Sequence, residues 1–292
     1  MPITISGDTS KQVVINGDTT KSTSMGVGVS SSGGGSSDPA YVIAGLEQSH
    51  WDVASATFAS VSGTSRISSI PDSSAVQNLT VGSNYGPEYR ASGWSSNGIT
   101  LPTAVLGGDL YLKANDWASK ISGYTGAYTV AALIIPTSGQ GATHAGGVVG
   151  LAAFMSTTDG NMFCRAPGLY GYGSGVYFSR RSTINNLGNF KCDANITAVP
   201  QLWLMEYTGT SASTAAGQFK FWQNGVSKTV YQDDGSFAQY GNGGRSAITV
   251  NQMLVGKDLN VSISQLHIWK GSLTDSQRAA VTTDLMTRGG LV

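Results

Sequence analysis

Cutting a glycosidic bond takes two carboxyl groups, one on each side of the scissile linkage. The chain has three glutamates, Glu47, Glu88 and Glu206, and none sits in the Glu-x-Asp-x-x-Glu spacing that would put paired acids on one strand. Glu206, after Leu202-Trp203-Leu204-Met205, is a lone strand acid. One acid is half of such a mechanism, and only an aspartate supplied by the fold could complete it. No catalytic residue is therefore assigned. Histidine is equally sparse: His50, His144 and His267 are far apart, whereas zinc sites draw on several ligands, usually with one close pair. Calcium is the fairer metal, because the turns Asp159-Gly160-Asn161 and Asp233-Asp234-Gly235 carry oxygen ligands. The same residues form plain turns without an ion. No other cofactor is implied. The glycines from Gly168 to Gly175 open no credible helix and so cradle no phosphate, and no nucleophile elbow is present.

Recognition is better provided for than catalysis. The stretch from Arg165 to Tyr177 sets Tyr170, Tyr172 and Tyr177 among small glycines, with Arg165 before them and Arg180-Arg181 after. Tyrosine offers stiff contact area and a polar tip at modest entropy cost, which suits a sugar or a protein partner. Rings like these also anchor glycine-rich loops. Two shorter sets repeat the theme: Tyr85-Gly86-Pro87-Glu88-Tyr89-Arg90 and Tyr240-Gly241-Asn242-Gly243-Gly244-Arg245. The candidate ligand residues are thus Tyr85, Tyr89, Arg90, Arg165, Tyr170, Tyr172, Tyr177, Arg180, Tyr240 and Arg245. They form one aromatic and arginine patch only if the fold gathers them at one end. Of the tryptophans, Trp203 and Trp269 lie in strong strand patterns and read as core. Trp94 and Trp117 lie beside polar turns and read as boundary residues.

Charge sets further limits. The 292 residues carry 17 basic and 17 acidic groups, and only 12% of the chain is charged, against about a quarter in an average soluble domain. The basic footprint expected of a nucleic-acid binder is missing. A partner is then recognised by shape, hydrogen bonds and stacking rather than by steering. The 39 glycines follow no triplet repeat, so they mark turns rather than collagen. Cys164 and Cys192 either pair or serve as small core residues. The N-terminus has neither the basic start nor the apolar stretch of a secretory signal, and no segment reads as a membrane span.

Those residues need a scaffold, and the chain suggests an arm followed by one β-rich body. Residues 1–37 contain two like segments, Ile5-Ser6-Gly7-Asp8-Thr9-Ser10-Lys11 and Ile15-Asn16-Gly17-Asp18-Thr19-Thr20-Lys21, and end in the Ser/Gly linker from Ser30 to Ser37. Short β-prone pieces such as Ile3, Ile5, Val13, Val14 and Ile15 bury little alone, so the segment reads as an assembly or anchoring arm. The body, 38–292, shows short strands bounded by turn residues at Tyr128–Ile135, Val148–Met155, Leu202–Tyr207 and Val261–Trp269. Leu202 to Tyr207 is apolar on both faces, which predicts a strand covered on both sides. Alternation changes parity between Ile263 and Leu266, which predicts a bulge or two covered faces. Asn224-Gly225 between Phe219–Gln223 and Val226–Tyr231 is a strong hairpin signal, with Phe219 and Phe221 on one inward face. One clear helix follows Thr274, whose capping box is completed by Gln277. Val281 and Leu285 share its inner face, and Gly289-Gly290 ends it. The expected architecture is mostly β: a sandwich of about a dozen strands, in two antiparallel sheets, with one short C-terminal helix on its rim.

The stretch Met253-Leu254-Val255-Gly256, then Ile263 to Trp269, then Leu273-Thr274-Asp275-Ser276-Gln277-Arg278 and the closing Gly289-Gly290 resembles the end of laminin-G-like, concanavalin-A-like domains. Trp51-Asp52, Gly86 to Arg90, Gly98-Ile99 and the Phe221–Gly225 hairpin fit the same pattern more loosely. The resemblance covers about residues 40 to 290 and implies a concanavalin-A-like jelly-roll sandwich. The versions it most resembles occur in bacteriophage fibre, tail and head-decoration proteins, and the arm is similar to the short starts of such proteins. The resemblance therefore implies a non-enzymatic virion structural protein. It would attach to other virion proteins through its arm, self-associate as a trimer, and present its sandwich for host-surface glycan adhesion. The alternative is a secreted, extracellular bacterial carbohydrate-binding protein or glycan-active enzyme of the same fold. The fold serves many roles and does not choose between them.

Overall fold

The computed structural model describes residues 39–61, 64–82, 85–107, 110–122, 124, 126–136, 152–155, 163–168, 176–181, 186–192, 197–209, 219–232, 252–256 and 261–292, with backbone alone for the strands between 152 and 191. The chain divides into two units, Met1–Ser37 and Asp38–Val292, and the described residues belong to the second. The arm residues Ile3, Ile5, Val13, Val14 and Ile15 lie outside them.

Among the described residues, seven strands precede the first α-helix: β1 Glu47–Asp52, β2 Thr57–Val61, β3 Thr64–Ile70, β4 Leu79–Val81, β5 Glu88–Ser96, β6 Ile99–Leu106 and β7 Leu112–Lys113. Helix α1, Asn115–Ile121, leads to β8 Tyr128–Pro136, β9 Ala152–Met155, β10 Phe163–Gly168, β11 Val176–Arg181, β12 Asn186–Cys192 and β13 Gln201–Tyr207. Then come β14 Phe219–Gln223, β15 Val226–Lys228, β16 Val230–Gln232, β17 Gln252–Val255, β18 Val261–Lys270 and helix α2 Asp275–Arg288. Every strand pairing is antiparallel. One layer runs β15-β14-β13-β8-β18, and the far edge of β18 is shared by β6 and then β1. The other runs β2-β3-β4-β7-β17-β9-β10-β11-β12-β16. Strand β5 pairs with β6 and touches β3, joining the layers.

Two apolar clusters explain the sequence patterns. The larger lies between the layers and holds Trp51, Ile67, Tyr128, Val130, Trp203, Met205, Phe219, Phe221, Met253 and Ile268 among others. The smaller lies on the opposite face of the β13-β8-β18 sheet, where Ala131, Leu133, Leu202, Leu204 and Trp269 meet Leu273, Val281 and Leu285. Strand β13 is therefore buried on both sides, as its continuous apolar run predicts. The parity change in β18 is a bulge at Ser264. Ile263 pairs with Ile134, and the next pairing is Gln265 with Leu133. Val261 and Ile263 before it, and Leu266 and Ile268 after it, all face the inter-layer core. The Asn224-Gly225 turn has φ of 48° and 76°, the doubly positive geometry that a two-residue hairpin requires.

Helix α2 differs from expectation in place rather than in kind. Its capping box and its acidic first turn are present as read. It covers the middle of the sheet rather than its rim, because Val281 and Leu285 need an apolar face and β8 and β13 supply one. Trp94 and Trp117, expected at a boundary, are both 0% exposed. Burial is tolerable because each indole N–H has an acceptor: Trp94 Nε1 donates to the Gly289 carbonyl at 2.9 Å, and Trp117 Nε1 to Ser49 Oγ at 2.7 Å. Helix α1 and the 3-10 turn Val53–Ser55 add to the one helix that the sequence made plain.

Candidate functional site

Strands β1 and β18 come from opposite ends of the body, yet they pair directly. Their register sets Gln48 opposite Trp269, His50 opposite His267, and Asp52 opposite Gln265. Side chains alternate along a strand. Ser49, Trp51, Leu266 and Ile268 therefore turn away from this face, with Trp51, Leu266 and Ile268 in the inter-layer core. The three pairs form a polar ladder on the helix side of the sheet. His50 Nδ1 and His267 Nδ1 lie 3.0 Å apart. Gln265 Nε2 donates to Asp52 Oδ2 at 2.8 Å. Tyr41 closes one side, its ring 4.8 Å from His50 and 4.6 Å from His267. Trp269 lies flat against His267 at 6.0 Å and donates its Nε1–H to the Tyr41 carbonyl.

Four ladder residues, His50, His267, Asp52 and Gln265, line a cavity of about 290 Å³, together with Tyr41, Trp51, Ser55, Pro71 and Ser73. Its floor is held by Asp72, whose carboxylate accepts four backbone N–H groups: His50 and Ser74 on Oδ1, Val76 and Gln77 on Oδ2. That fixes the 72–77 turn against β1. Burial drives the His50 pKa down to about 4 against a weaker upward pull from Asp72. Burial also drives His267 well below its ordinary value, helped by His50 and Arg288. Both imidazoles are neutral at pH 7, so one ring donates Nδ1–H to the other. Burial raises the Tyr41 phenol, opposed by Arg288. Arg288 sits over the Tyr41 ring at 5.1 Å and pairs with Asp284 at 3.0 Å. Among the described residues, no group of three or more His, Cys, Asp or Glu side chains is placed to hold a metal.

The candidate residues from the sequence lie elsewhere. Tyr85 is 60% exposed, and Tyr89 and Arg90 lie on β5, where Arg90 Nε pairs with Glu88 at 2.8 Å. Phe58 on β2, unremarked in the sequence, is 50% exposed and meets the Tyr89 ring edge-on at 4.7 Å. Arg165 lies on β10, and Tyr177 and Arg180 on β11, with Gly168 opposite Tyr177 and Cys164 opposite Arg180. Strands β3, β4, β7, β17 and β9 stand between β5 and β10 in the pairing order. The sheet thus keeps the first set apart from the strand-borne members of the second. Tyr170, Tyr172, Tyr240, Arg245, His144 and both acidic turns lie outside the described residues. Glu206 is on the helix side of β13, 2% exposed, where its Oε1 accepts from Ser272 Oγ at 3.0 Å and from Lys220 at 3.4 Å. Glu47 pairs with Lys120 and Lys270. The histidine pair itself escaped the sequence, because only the pairing of the first and last strands joins residues 217 positions apart.

In sequence, the chain matches no protein-family model and no curated protein. Among solved structures it is similar to the binding domain of botulinum neurotoxin serotype D, with a TM-score of 0.47 at 10% identity over 81% of this chain and 52% of that one. It is similar to the binding domain of Paraclostridial mosquitocidal protein 1, with a TM-score of 0.47 at 11% identity over 82% and 52%. It is also similar to an arabinofuranosidase complexed with arabinofuranosyl-alpha-1,2-xylobiose, with a TM-score of 0.49 at 12% identity over 77% and 52%. The chain spans about half the length of each of these structures, at identities that carry none of their residues onto it.

Proposed function

We propose that this chain is a non-enzymatic virion structural protein that attaches through residues 1–37 and presents its β-sandwich to host-surface glycans. The observation that carries the binding part is the aromatic surface on β2 and β5. Large exposed rings cost hydration and mark contact surfaces. Phe58 and Tyr85 are exposed, and Phe58 rests edge-on against Tyr89, which is itself partly buried against the core, with the Arg90–Glu88 ion pair on the same strand as Tyr89. A ring face stacks on the apolar face of a sugar while polar neighbours take its hydroxyls. Residues 1–37, with their repeated β-prone segments, support the attachment part, as does the resemblance to phage fibre and decoration proteins.

A glycan array probed with the full chain tests the binding part. Binding to a defined set of glycans, lost in a Phe58→Ala variant with unchanged melting, is the expected result. Silence across the array removes it. Light scattering after size exclusion tests the trimer, which a clean monomer at high concentration would exclude.

A further inference from the structure

Among the arginines with described side chains, Arg90, Arg278 and Arg288 each hold a carboxylate, on Glu88, Asp275 and Asp284. Arg66 holds none. Its one bond among the described residues is a long one, from Nη1 to the Gly86 carbonyl at 3.5 Å. A guanidinium carries five N–H donors in a rigid fork, so the rest of this fork has no acceptor among the described residues. Register sets the direction of the side chain. Phe58 pairs with Ile67, whose side chain enters the inter-layer core, so the adjacent pair, Ala59 and Arg66, turns to the outer face of the layer. Arg66 pairs in turn with Glu88 on β5, and Arg90, two residues on, shares that face. Ala59 is exposed and too small to cover its neighbour. On the β2–β3 pair beside Arg66, the Thr57 hydroxyl meets those of Ser68 and Ser69 at 2.8 and 2.9 Å.

Resting on the glycan-adhesion reading, we propose that this outer face binds an anionic glycan, whose carboxylate or sulfate is taken by Arg66. The local charge fits a single anion: two guanidiniums, Arg66 and Arg90, against the one carboxylate of Glu88 leave one positive charge over. An arginine fork meets such an oxyanion with two parallel bonds. The Glu88–Arg90 pair supplies what the rest of a sugar needs. Glu88 accepts from Arg90 Nε through Oε1 at 2.8 Å, and its other oxygen is left to accept a sugar hydroxyl. The Glu88 side chain is 40% exposed. The Arg90 hydrogen bond, and in smaller part the charges of Arg90 and Arg66, hold its carboxyl below the ordinary value, so it stays an acceptor at neutral pH. The Thr57, Ser68 and Ser69 hydroxyls extend the polar surface on the other side of Arg66. This pattern favours a sugar over an acidic peptide. A peptide carboxylate would satisfy Arg66, but a run of them meets Glu88 as a like charge and brings it no hydroxyl. The site adjoins the Phe58 ring without including it, because Phe58 turns to the opposite side of β2.

The test uses the full chain on an array that presents each glycan backbone in carboxylated, sulfated and neutral forms, followed by calorimetric titration of the best binder and its neutral counterpart. A charged form should bind at least about tenfold more tightly than the neutral one, or 1.4 kcal/mol, and whichever form does so names the anion. Arg66→Gln should erase that preference without lowering the melting temperature. Arg66→Lys, a point charge without the fork, should keep only part of it. Phe58→Ala should weaken the charged and neutral forms by the same factor, so that ring and charge are read apart. Charged and neutral forms that bind alike overturn the proposal and leave glycan adhesion standing, as does a charge preference that survives Arg66→Gln. A polyglutamate peptide that competes as well as the best glycan also overturns it, by marking this face as a contact for an acidic protein. Silence of every form on the array removes adhesion and this site together.

Discussion

A buried, neutral imidazole couples folding to protons. In the unfolded chain His50 titrates near 6.5, and in the fold near 4. Above pH 6.5 neither state takes the proton, and His50 contributes no pH dependence. As pH falls from 6.5 towards 4 the unfolded chain binds it and the fold does not, so stability drops. The loss attributable to His50 is on the order of 3 kcal/mol, and His267 acts in the same direction. Glu47 and Glu88, held below the ordinary 4.5 by hydrogen bonds to Lys120 and Arg90, lose their contribution only below that value. Thermal melts between pH 6.5 and 4.5 thus isolate the histidines: the melting temperature should fall steadily across that window, and a flat profile would show the pair to be solvated. Glu206 makes a second residue-scale prediction. Glu206→Gln keeps an acceptor for Ser272 and loses only the half-exposed Lys220 partner, so calorimetry should find a change under about 1 kcal/mol. Glu206→Ala removes the buried side chain itself as well as both bonds, while the exposed Ser272 and Lys220 turn to water, and should cost about 0.5–3 kcal/mol. The glycan-active alternative demands instead that Glu206→Gln abolish turnover with stability intact. At this scale little was legible beforehand. Tyr89 and Arg90 could be picked out as polar and aromatic neighbours, but Phe58 could not, because its exposure depends on β2 lying at an outer edge of its layer.

At the scale of elements, local rules carried much further. The capping box at Thr274, the Asn224-Gly225 turn and the parity change in β18 are all encoded within a few residues, and each appears as read. What local pattern cannot supply is the surface against which an element packs. Helix α2 has the same stripe whether it sits on a rim or on a sheet face, and β8 and β13 decide the matter. Likewise, Trp94 looks like a boundary residue until the C-terminus folds back. The Trp94 indole and the Ser96 hydroxyl donate to the Gly289 and Gly290 carbonyls, at 2.9 and 2.7 Å. Gly290 has φ of 61°, and a Cβ there would sit 2.3 Å from the Ser96 carbonyl oxygen. Gly290→Ala therefore combines left-handed strain of about 1–2 kcal/mol with a backbone clash, and it should lower stability more than Thr274→Ala, whose lost cap costs about 1 kcal/mol. Chemical denaturation of the two variants checks the order, and the reverse ranking would mean that the last turn is not docked as described.

At the scale of the molecule, the question is what the body needs from the rest of the chain. Its two apolar clusters draw on described residues from Ile43 to Leu291, and the β1–β18 pairing joins the two ends of that span. Among the described residues, the sandwich is closed by its own first and last strands. Removal of residues 1–37 should then leave a cooperative fold that melts within a few degrees of the full chain, with an unchanged β-type circular dichroism spectrum. The same deletion separates two roles for the arm. If the arm attaches the protein to a particle, the truncated chain keeps glycan binding and loses only incorporation, measured by co-sedimentation with virions. If the truncated chain instead precipitates or melts far lower, β-prone pieces such as Val13-Val14-Ile15 belong to the body's stability, and the division at Ser37 is not a functional boundary. Light scattering on the soluble truncated form then decides the trimer. An oligomer held by the arm dissociates, whereas one held by the sandwich persists, and only the first places both assembly and attachment in residues 1–37.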